Sequence, residues 1–261
     1  MEQVFQRIEK KYGLNQEQYE RFKERSGSYL EMDQYGLHTI CNLYFDTEDD
    51  RLVRTSIDKP SYKEKLRLRS YGVPKKQDMV FLELKKKWEG IVYKRRVPMT
   101  LEEAENYLEN GGFPSHDRQM MREIDYFIKF YGPVPKVYLA YDREAFFGKE
   151  DGSLRLTVDR RIRTRTQELR LDLGDYGEAL TEEGEYLMEI KVPSAYPIWL
   201  AHLLADLKIY PISFSKYGQY YVSSFGRQTV SVKSVKKEEN RFKGKEYEGE
   251  NGRESLCLPV F

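Results

Sequence analysis

Residues 62–72 read YKEKLRLRSYG, in which Lys63, Lys65, Arg67 and Arg69 alternate with Glu64, Leu66 and Leu68. A β-strand points successive side chains to opposite faces, so this spacing lays cations along one face and a mostly apolar row along the other. The pattern recurs. Glu83, Lys85 and Lys87 share a face in FLELKKK, with Leu82 and Leu84 on the other, and Lys94 and Arg96 share a face in YKRRV. Arg7, Glu9 and Lys11 share one face with Ile8 on the other; Arg155, Thr157 and Asp159 alternate with Leu154, Leu156 and Val158; Glu189 and Lys191 alternate with Met188, Ile190 and Val192. Arg143 adds a further cation in AYDREAF.

The bland account is a solvated sheet face. Such faces ordinarily mix Thr, Ser, Gln, Glu and Lys, whereas here Arg and Lys dominate, and cations this dense repel one another unless an anion neutralises them. A closed antiparallel barrel supplies the alternative, because alternate residues of every strand line its lumen. Arginine forks and mobile lysine charges together suit chains of phosphoryl groups. The few carboxylates, Glu189 above all and then Glu9, Glu83 and Asp159, are the candidate ligands for a hard divalent cation bridging phosphate oxygens. Such a site polarises a phosphoanhydride and stabilises the charge that develops in phosphoryl transfer.

Elsewhere the composition mainly excludes. Among 261 residues, 44 are basic and 43 acidic, so bulk charge does not predict a nucleic-acid binder and any basic site must come from local arrangement. Cys41 and Cys257 are far apart, which argues against a disulfide framework or a thiolate zinc site. His38, His116 and His202 have no ligand spacing, no Ser-His-Asp set is visible, and no glycine-rich GxxxxGK loop marks a P-loop enzyme. The N-terminal MEQVFQRIEKKYG has no apolar signal core, and no run reaches the length of a membrane span, so a cytoplasmic location is the expectation.

These side chains need strands to position them. Residues 4–12 alternate up to Gly13, and Asn15 is placed to cap a helix carrying Gln18, Tyr19 and Phe22 on one side. HTICNLYFDT reads as a strand ending near Asp46, DDRLVRTSID as a short helix or turn, and 78–99 as a hairpin turning at Gly90. Thr100 and Glu103 form a capping-box pattern that opens a helix stopped by Gly111 and Gly112; a second helix follows from His116 to Gly132. Strands resume with KVYLAYDREAFFG, LRLTVDRRIRTRT and EYLMEIKV, and IWLAHLLADLKIY is a helix. Many strands with a few interposed helices imply an α+β fold, closed into a barrel. From about 223 the pattern dissolves into a charged tail expected to be flexible, giving a 1–222 domain and a 223–261 tail.

Taken together, RIEKKY (7–12), KLRLRSYG (65–72), FLELKKK (81–87), YKRR (93–96), LMEIKV (187–192) and SFSKYG (213–218) resemble the VTC-type polyphosphate polymerase domain of the triphosphate tunnel metalloenzymes, the CYTH-like superfamily. The resemblance covers roughly 1–222 and implies a tunnel of eight antiparallel strands with flanking helices. Through it, Lys11 matches the first-strand lysine, Arg67 and Arg69 the paired phosphate-binding arginines, and Lys85 and Lys94 the central-hairpin lysines. Arg143 and Arg155 match later tunnel arginines, Glu189 the carboxylate that binds Mn2+ or Mg2+, and Lys191 its neighbouring lysine. Ser215 and Lys216 match the serine and lysine of a closing strand, while Lys65 and Arg96 are secondary phosphate contacts on the same faces. One departure is Ser213, which stands where the eukaryotic pattern has a lysine.

The resemblance implies metal-dependent transfer of a phosphoryl group from ATP to a growing polyphosphate chain. Two rivals are kept: hydrolysis of inorganic triphosphate, polyphosphate or a nucleoside triphosphate by the same machinery, and a non-catalytic polyphosphate-binding module. What separates transfer from hydrolysis is a carboxylate placed to activate water, and whether the tunnel is open at both ends. RNA 5′-end processing would need an exterior basic platform, for which the tail is a poor candidate, and nothing announces an adenine pocket for a cyclase. Eukaryotic polymerases of this type add an inositol-phosphate-sensing domain and membrane helices that this sequence does not show, which leaves two expectations: a separate membrane protein as partner, or a protein that does not make long polymer.

Overall fold

A computed structural model describes residues 8–89, 91–112 and 118–226. The chain opens with β1 (Ile8–Asn15), α1 (Gln16–Ser26), β2 (Leu30–Met32), β3 (His38–Asp46) and α2 (Arg51–Ile57). The charged stretch follows as β4 (Tyr62–Tyr71), then β5 (Met79–Trp88), β6 (Ile91–Thr100), α3 (Leu101–Asn110) and α4 (Arg118–Tyr131). The rest is β7 (Val134–Gly148), β8 (Arg155–Arg165), β9 (Glu178–Ala179), β10 (Glu185–Val192), α5 (Ile198–Asp206), β11 (Pro211–Ile212) and α6 (Lys216–Gly226).

The helix starts follow their side chains. The Asn15 side chain accepts from the Gln18 N–H while Gln18 reaches back to the Asn15 N–H, and Thr100 and Glu103 make the same reciprocal pair. α2 is different, since Asp50 at its N-cap sits in the left-handed region (φ 59°) and makes no side-chain cap. Asp46, at the end of β3, takes over: its carboxylate accepts from the N–H groups of Thr47, Leu52 and Val53 at 2.8–2.9 Å. The predicted strand over 4–12 runs on to Asn15. α6 extends four residues into the expected tail. Residues 4–7 with Arg7, the turn at Gly90, His116, and the tail from 227 with Cys257 lie outside the described residues.

All the strands join one sheet of 11 strands along the path β11-β1-β10-β8-β7-β3-β4-β5-β6, with β2 attached to β7 and β9 to β8. Every pairing is antiparallel. This corrects the expected closed barrel of eight strands: the path has two ends, β11 and β6, and they do not pair. The reason lies at the C-terminal end. β11 is only two residues long and begins with Pro211, which has no N–H to give a ladder. By Lys216 the backbone has become α6, so no extended segment is left to bridge across to β6. A side chain, not backbone, spans the seam: Lys65 Nζ on β4 donates to Ser215 Oγ at 3.0 Å, while Lys11 Nζ on β1, the strand already paired with β11, holds the Phe214 carbonyl at 3.0 Å on the other side.

The curled sheet is thus a trough, and period-two alternation sorts its residues. On the convex side, Leu43, Leu66, Leu68, Leu82 and Leu84 pack with Tyr107 of α3 and Met121, Ile124 and Phe127 of α4. Around the sheet, Tyr12, Leu156, Val158, Met188 and Ile190 pack with Tyr19 and Phe22 of α1 and Leu200 and Leu203 of α5. Cutting one such leucine back to alanine costs about 2–5 kcal/mol. A third cluster lies on the concave side: Ile40, Tyr44, Leu139, Tyr141, Ile162 and Leu187 meet Val53 of α2, then Phe214 and Tyr217. It fills the end of the trough where α2 and α6 sit.

Candidate functional site

Three carboxylates organise the concave face, two of them buried and the third, Glu189, partly buried, and each is met by cations. The first is Glu83 on β5, 2% exposed, which cross-strand register sets between Arg67 of β4 and Arg96 of β6. Arg67 Nη2 approaches Glu83 Oε2 to 2.6 Å and Lys94 Nζ approaches Oε1 to 2.6 Å, with Arg96 at 3.5 Å and Arg69 at 3.9 Å. Burial alone would raise the Glu83 carboxyl, but Arg67, Arg69 and Lys94 together hold it well below the usual carboxylate range. Arg96 lays its guanidinium 3.6 Å from the Phe81 ring centroid.

The second is Asp159 on β8. Arg143, its register partner on β7, grips it with two bonds of 2.6 and 2.8 Å, and Lys216 at the start of α6 adds a third at 2.5 Å. Burial opposes ionisation here too, and Arg143 and Lys216 overcome it, so the Asp159 pKa is strongly lowered. The register of β7 and β8 shifts between Ala140 and Asp142, beside Arg161 at φ 50°. That bulge puts both Asp159 and Ile162 on the concave face, one in the charged zone and one in the apolar cluster.

The third is Glu189 on β10, placed by register between Lys11 of β1 and Thr157 of β8. Lys191 Nζ lies 2.7 Å from Oε1 and Lys11 Nζ 3.8 Å from Oε2. Burial would raise this carboxyl as well, yet Lys191 and Lys11 bring it down to about 2.

Two tyrosines complete the zone. Arg67 Nη1 donates to the Tyr44 hydroxyl at 3.1 Å, and Arg69 Nη2 to that of Tyr141 at 3.2 Å, while Arg69 Nε donates to Asn42 Oδ1 at 2.9 Å. Burial raises the Tyr44 phenol, but Arg67, Arg69 and Lys65 outweigh it and lower it to about 8. Lys65 is itself brought down to about 8, chiefly by burial. Lys94 also falls to about 8, because burial wins over the neighbouring Glu83.

Lys11, Arg67, Arg69, Lys94, Arg96, Arg143, Lys191 and Lys216 come together around the three carboxylates, all but Lys216 from strands of the sheet. Lys65 reaches the same zone through Ser215, and Lys85 stands opposite both Lys65 and Lys94. Two predicted residues stand apart. Arg155 is exposed at the rim, opposite Lys191, and Glu9 is exposed, also opposite Lys191. Ser215 and Lys216 were expected on a closing strand; instead Lys216 opens α6, and Ser215 Oγ accepts from the Gly218 N–H at 3.3 Å. Asn42, Tyr44 and Tyr141 carry no charge that would mark them in the sequence, although each keeps the concave-face period of its strand, Tyr141 falling two residues before Arg143.

Among the described residues no three acidic, His or Cys side chains converge as a preformed metal cage. The site nevertheless fits a cation carried in by phosphate. Mg2+ and its like take one or two carboxylates, with waters and substrate phosphates completing the shell. Glu189 can supply such a carboxylate, and Thr157 Oγ1, in register with it, is buried without a hydrogen-bond partner.

A strongly curled antiparallel sheet with a cation-lined concave face and buried counter-carboxylates defines a triphosphate-tunnel fold of the CYTH-like superfamily. Within it, the chain belongs to the VTC domain family, which matches residues 6–225. Among solved structures, a candidate adenylate cyclase from Bacillus halodurans aligns with a TM-score of 0.52 and 18% identity, covering 80% of this chain and 92% of that one. A Hippeastrum protein described as a candidate adenylyl cyclase with a dominant triphosphatase activity aligns with a TM-score of 0.49 and 17% identity, covering 87% of this chain and 99% of that one. No curated protein matches the chain. The Bacillus structure bears on the fold alone.

Proposed function

We propose that this protein transfers the terminal phosphoryl group of a nucleoside triphosphate, with ATP the expected donor, to the end of an inorganic polyphosphate chain. The observation that carries the reading is the charge imbalance of the concave face. Its cations far outnumber Glu83, Asp159 and Glu189, and every one of those carboxylates is already engaged. A triphosphate entering this zone offers oxygens to arginines and lysines that now share too few.

Arg67, Arg69, Lys94 and Arg96 would grip the phosphates from the β4–β6 side, and Arg143, Lys11, Lys191 and Lys216 from the other. Glu189, with Thr157 Oγ1 beside it in register, would hold a divalent cation, Mn2+ or Mg2+, whose charge would help to stabilise the leaving diphosphate. The terminal oxygen of the chain attacks the γ-phosphorus, and the bond to the β-phosphate oxygen breaks. The nucleotide leaves as its diphosphate, and no proton need move.

That last point favours transfer over hydrolysis. Water needs a base, and all three carboxylates are tied to two or more cations that weaken them as bases. Hydrolysis of a short linear triphosphate is the second reading, favoured by the apolar cluster that fills one end of the trough. A cytoplasmic location, with any membrane attachment through a separate protein, belongs to the same proposal; no described helix is long and apolar enough to cross a membrane.

The test is the purified protein with Mn2+ and ATP labelled at the γ-phosphate, products separated by size, beside Glu189→Ala. A polymer ladder lost in the variant supports the transferase. Free phosphate alone, lost in the variant, makes the protein a hydrolase, and binding without turnover makes it a binding module.

A further inference from the structure

Beyond the carboxylate-bound cations lies a second group of lysines with no counter-ion. Cross-strand register sets Lys63 opposite Lys87 and Lys65 opposite Lys85. Like charges placed directly opposite destabilise a sheet, so two consecutive lysine pairs need a reason. No described carboxylate contacts any of the four. Lys63 Nζ finds only the Ser56 carbonyl, at 3.2 Å, and Lys65 Nζ only Ser215 Oγ, at 3.0 Å. The charges that bear on Lys63 are Lys87, Lys59 and Lys85, all positive. Glu64, one residue away, faces the opposite side and pairs with Lys86.

An independent observation says where a long chain cannot go. At the α2–α6 end the Tyr44 ring stacks on Tyr217 with centroids 5.1 Å apart, and Phe214, Leu187 and Ile162 pack around them. The Tyr217 hydroxyl donates to Asp46 Oδ2 at 3.0 Å, the carboxylate that also caps α2. A linear anion seated among Arg67, Arg69 and Lys94 therefore meets a packed aromatic wall if it continues straight along the trough. The neighbouring track over β4 and β5 is lined with lysine instead.

We propose that Lys63 and Lys87 form an extension subsite for the distal phosphoryl groups of a linear polyphosphate. The chain passes from the main site over Lys65 and Lys85 and runs out along β4–β5 beside the α2–α6 wall, not through it. The two lysine pairs are one strand repeat of about 7 Å apart, so the track continues the phosphate grip outward. This inference rests on the phosphoryl-transfer reading and adds to it the route by which the polyphosphate chain leaves the main site and the residues that line that route.

The experiment compares the affinity of the full chain for inorganic tripolyphosphate and for medium-length inorganic polyphosphate by competition binding, in the wild type and in Lys63→Gln/Lys87→Gln. Lys75→Gln/Lys76→Gln, at the far end of the same strands, is the charge-matched control. The wild type and the control should bind the longer chain more tightly than tripolyphosphate. The Lys63→Gln/Lys87→Gln protein should lose about tenfold of that gain, two exposed ion pairs at about threefold each, while its tripolyphosphate affinity stays within about twofold. An unchanged gain, or an equal loss in the control, overturns the subsite and leaves the main site standing. If the wild type fails to bind even tripolyphosphate, the functional reading falls and takes the subsite with it. Single-stranded RNA bound through Lys63 and Lys87 as tightly as polyphosphate would overturn the assignment in favour of a nucleic acid.

Discussion

Arg143 and Asp159 face each other across β7 and β8 in a two-pronged ion pair of 2.6 and 2.8 Å. A guanidinium bonded in this way to a carboxylate offers the same fork that it would offer to a phosphate. Glu83 stands in a similar relation to Arg67, and Glu189 to Lys191. The three carboxylates thus act as internal counter-ions that hold the cationic side chains apart and extended while the site is empty.

Removing one of these counter-ions should weaken the empty protein and spare the loaded one. Asp159 is 1% exposed and meets Arg143 and Lys216. Asp159→Asn leaves two cations without their carboxylate, and breaking such a pair costs about 3–5 kcal/mol. Urea unfolding measures that loss. Saturating tripolyphosphate should restore most of it, since a ligand that binds only the folded state stabilises by mass action. A variant as stable as wild type without ligand would show that Asp159 is no counter-ion.

Between pH about 8 and about 10, Tyr44 and Lys65 should move stability and ligand affinity in opposite directions. The Tyr44 phenol is lowered to about 8 in the fold and ionises near 10 when unfolded. In that window the unfolded chain holds more protons, so stability rises with pH. Lys65, lowered to about 8 from an unfolded value near 10.4, gives the same sign, because deprotonation relieves a buried charge. Each proton lost also removes positive charge from the site, so affinity for tripolyphosphate falls. Tyr44→Phe should flatten both slopes and abolish a tyrosinate absorbance change near pH 8. Unchanged slopes would exclude the phenol.

Arg67 joins β4 to the middle of the charged zone, meeting Glu83 and Tyr44. Arg67→Lys keeps the charge and loses the fork. If phosphoryl transfer is stabilised by preorganised donors, the variant should lose about 100-fold or more in turnover, as removal of a single donor to a developing anion does. Single-turnover kinetics at saturating nucleotide separate this from weaker binding. An effect confined to KM would assign Arg67 to uniform substrate binding.

The residues on the concave face were legible because alternation is local. Lys63 to Arg69 declare their face by sequence alone, and so do Glu83, Lys85, Lys94 and Arg96. The caps at Asn15 and Thr100 were legible for the same reason. Closure was not, because it depends on whether the last segment can offer a backbone ladder to β6, and SFSKYG turns helical at Lys216 instead. Partnership among charges was equally hidden. Glu83 is one residue among four cations only because register stacks β4, β5 and β6, and Asp159 reaches Lys216 across 57 positions. Tyr44 and Asp46 look like ordinary strand residues until α6 is placed against them.

Tyr217 and Asp46 tie α6 to both β3 and α2, and this link should decide how firmly the end of the trough stays shut. Asp46 is fully buried and accepts from Leu52, Val53 and the Tyr217 hydroxyl. Because the Tyr217 phenol is buried beside that carboxylate, its pKa is strongly raised and it remains a donor through ordinary alkaline pH. Tyr217→Phe keeps the ring that stacks on Tyr44 and removes only the hydroxyl. A hydrogen bond to a charged group contributes about 1.5–3 kcal/mol, so global stability should drop by up to that amount. Backbone amides of α6 and the first turn of α2 should exchange faster with solvent, while those of α3 and α4, on the opposite side of the sheet, should slow or hold relative to the global change. If amide exchange accelerates evenly over the whole chain, the hydroxyl contributes to overall stability and not to closing this end.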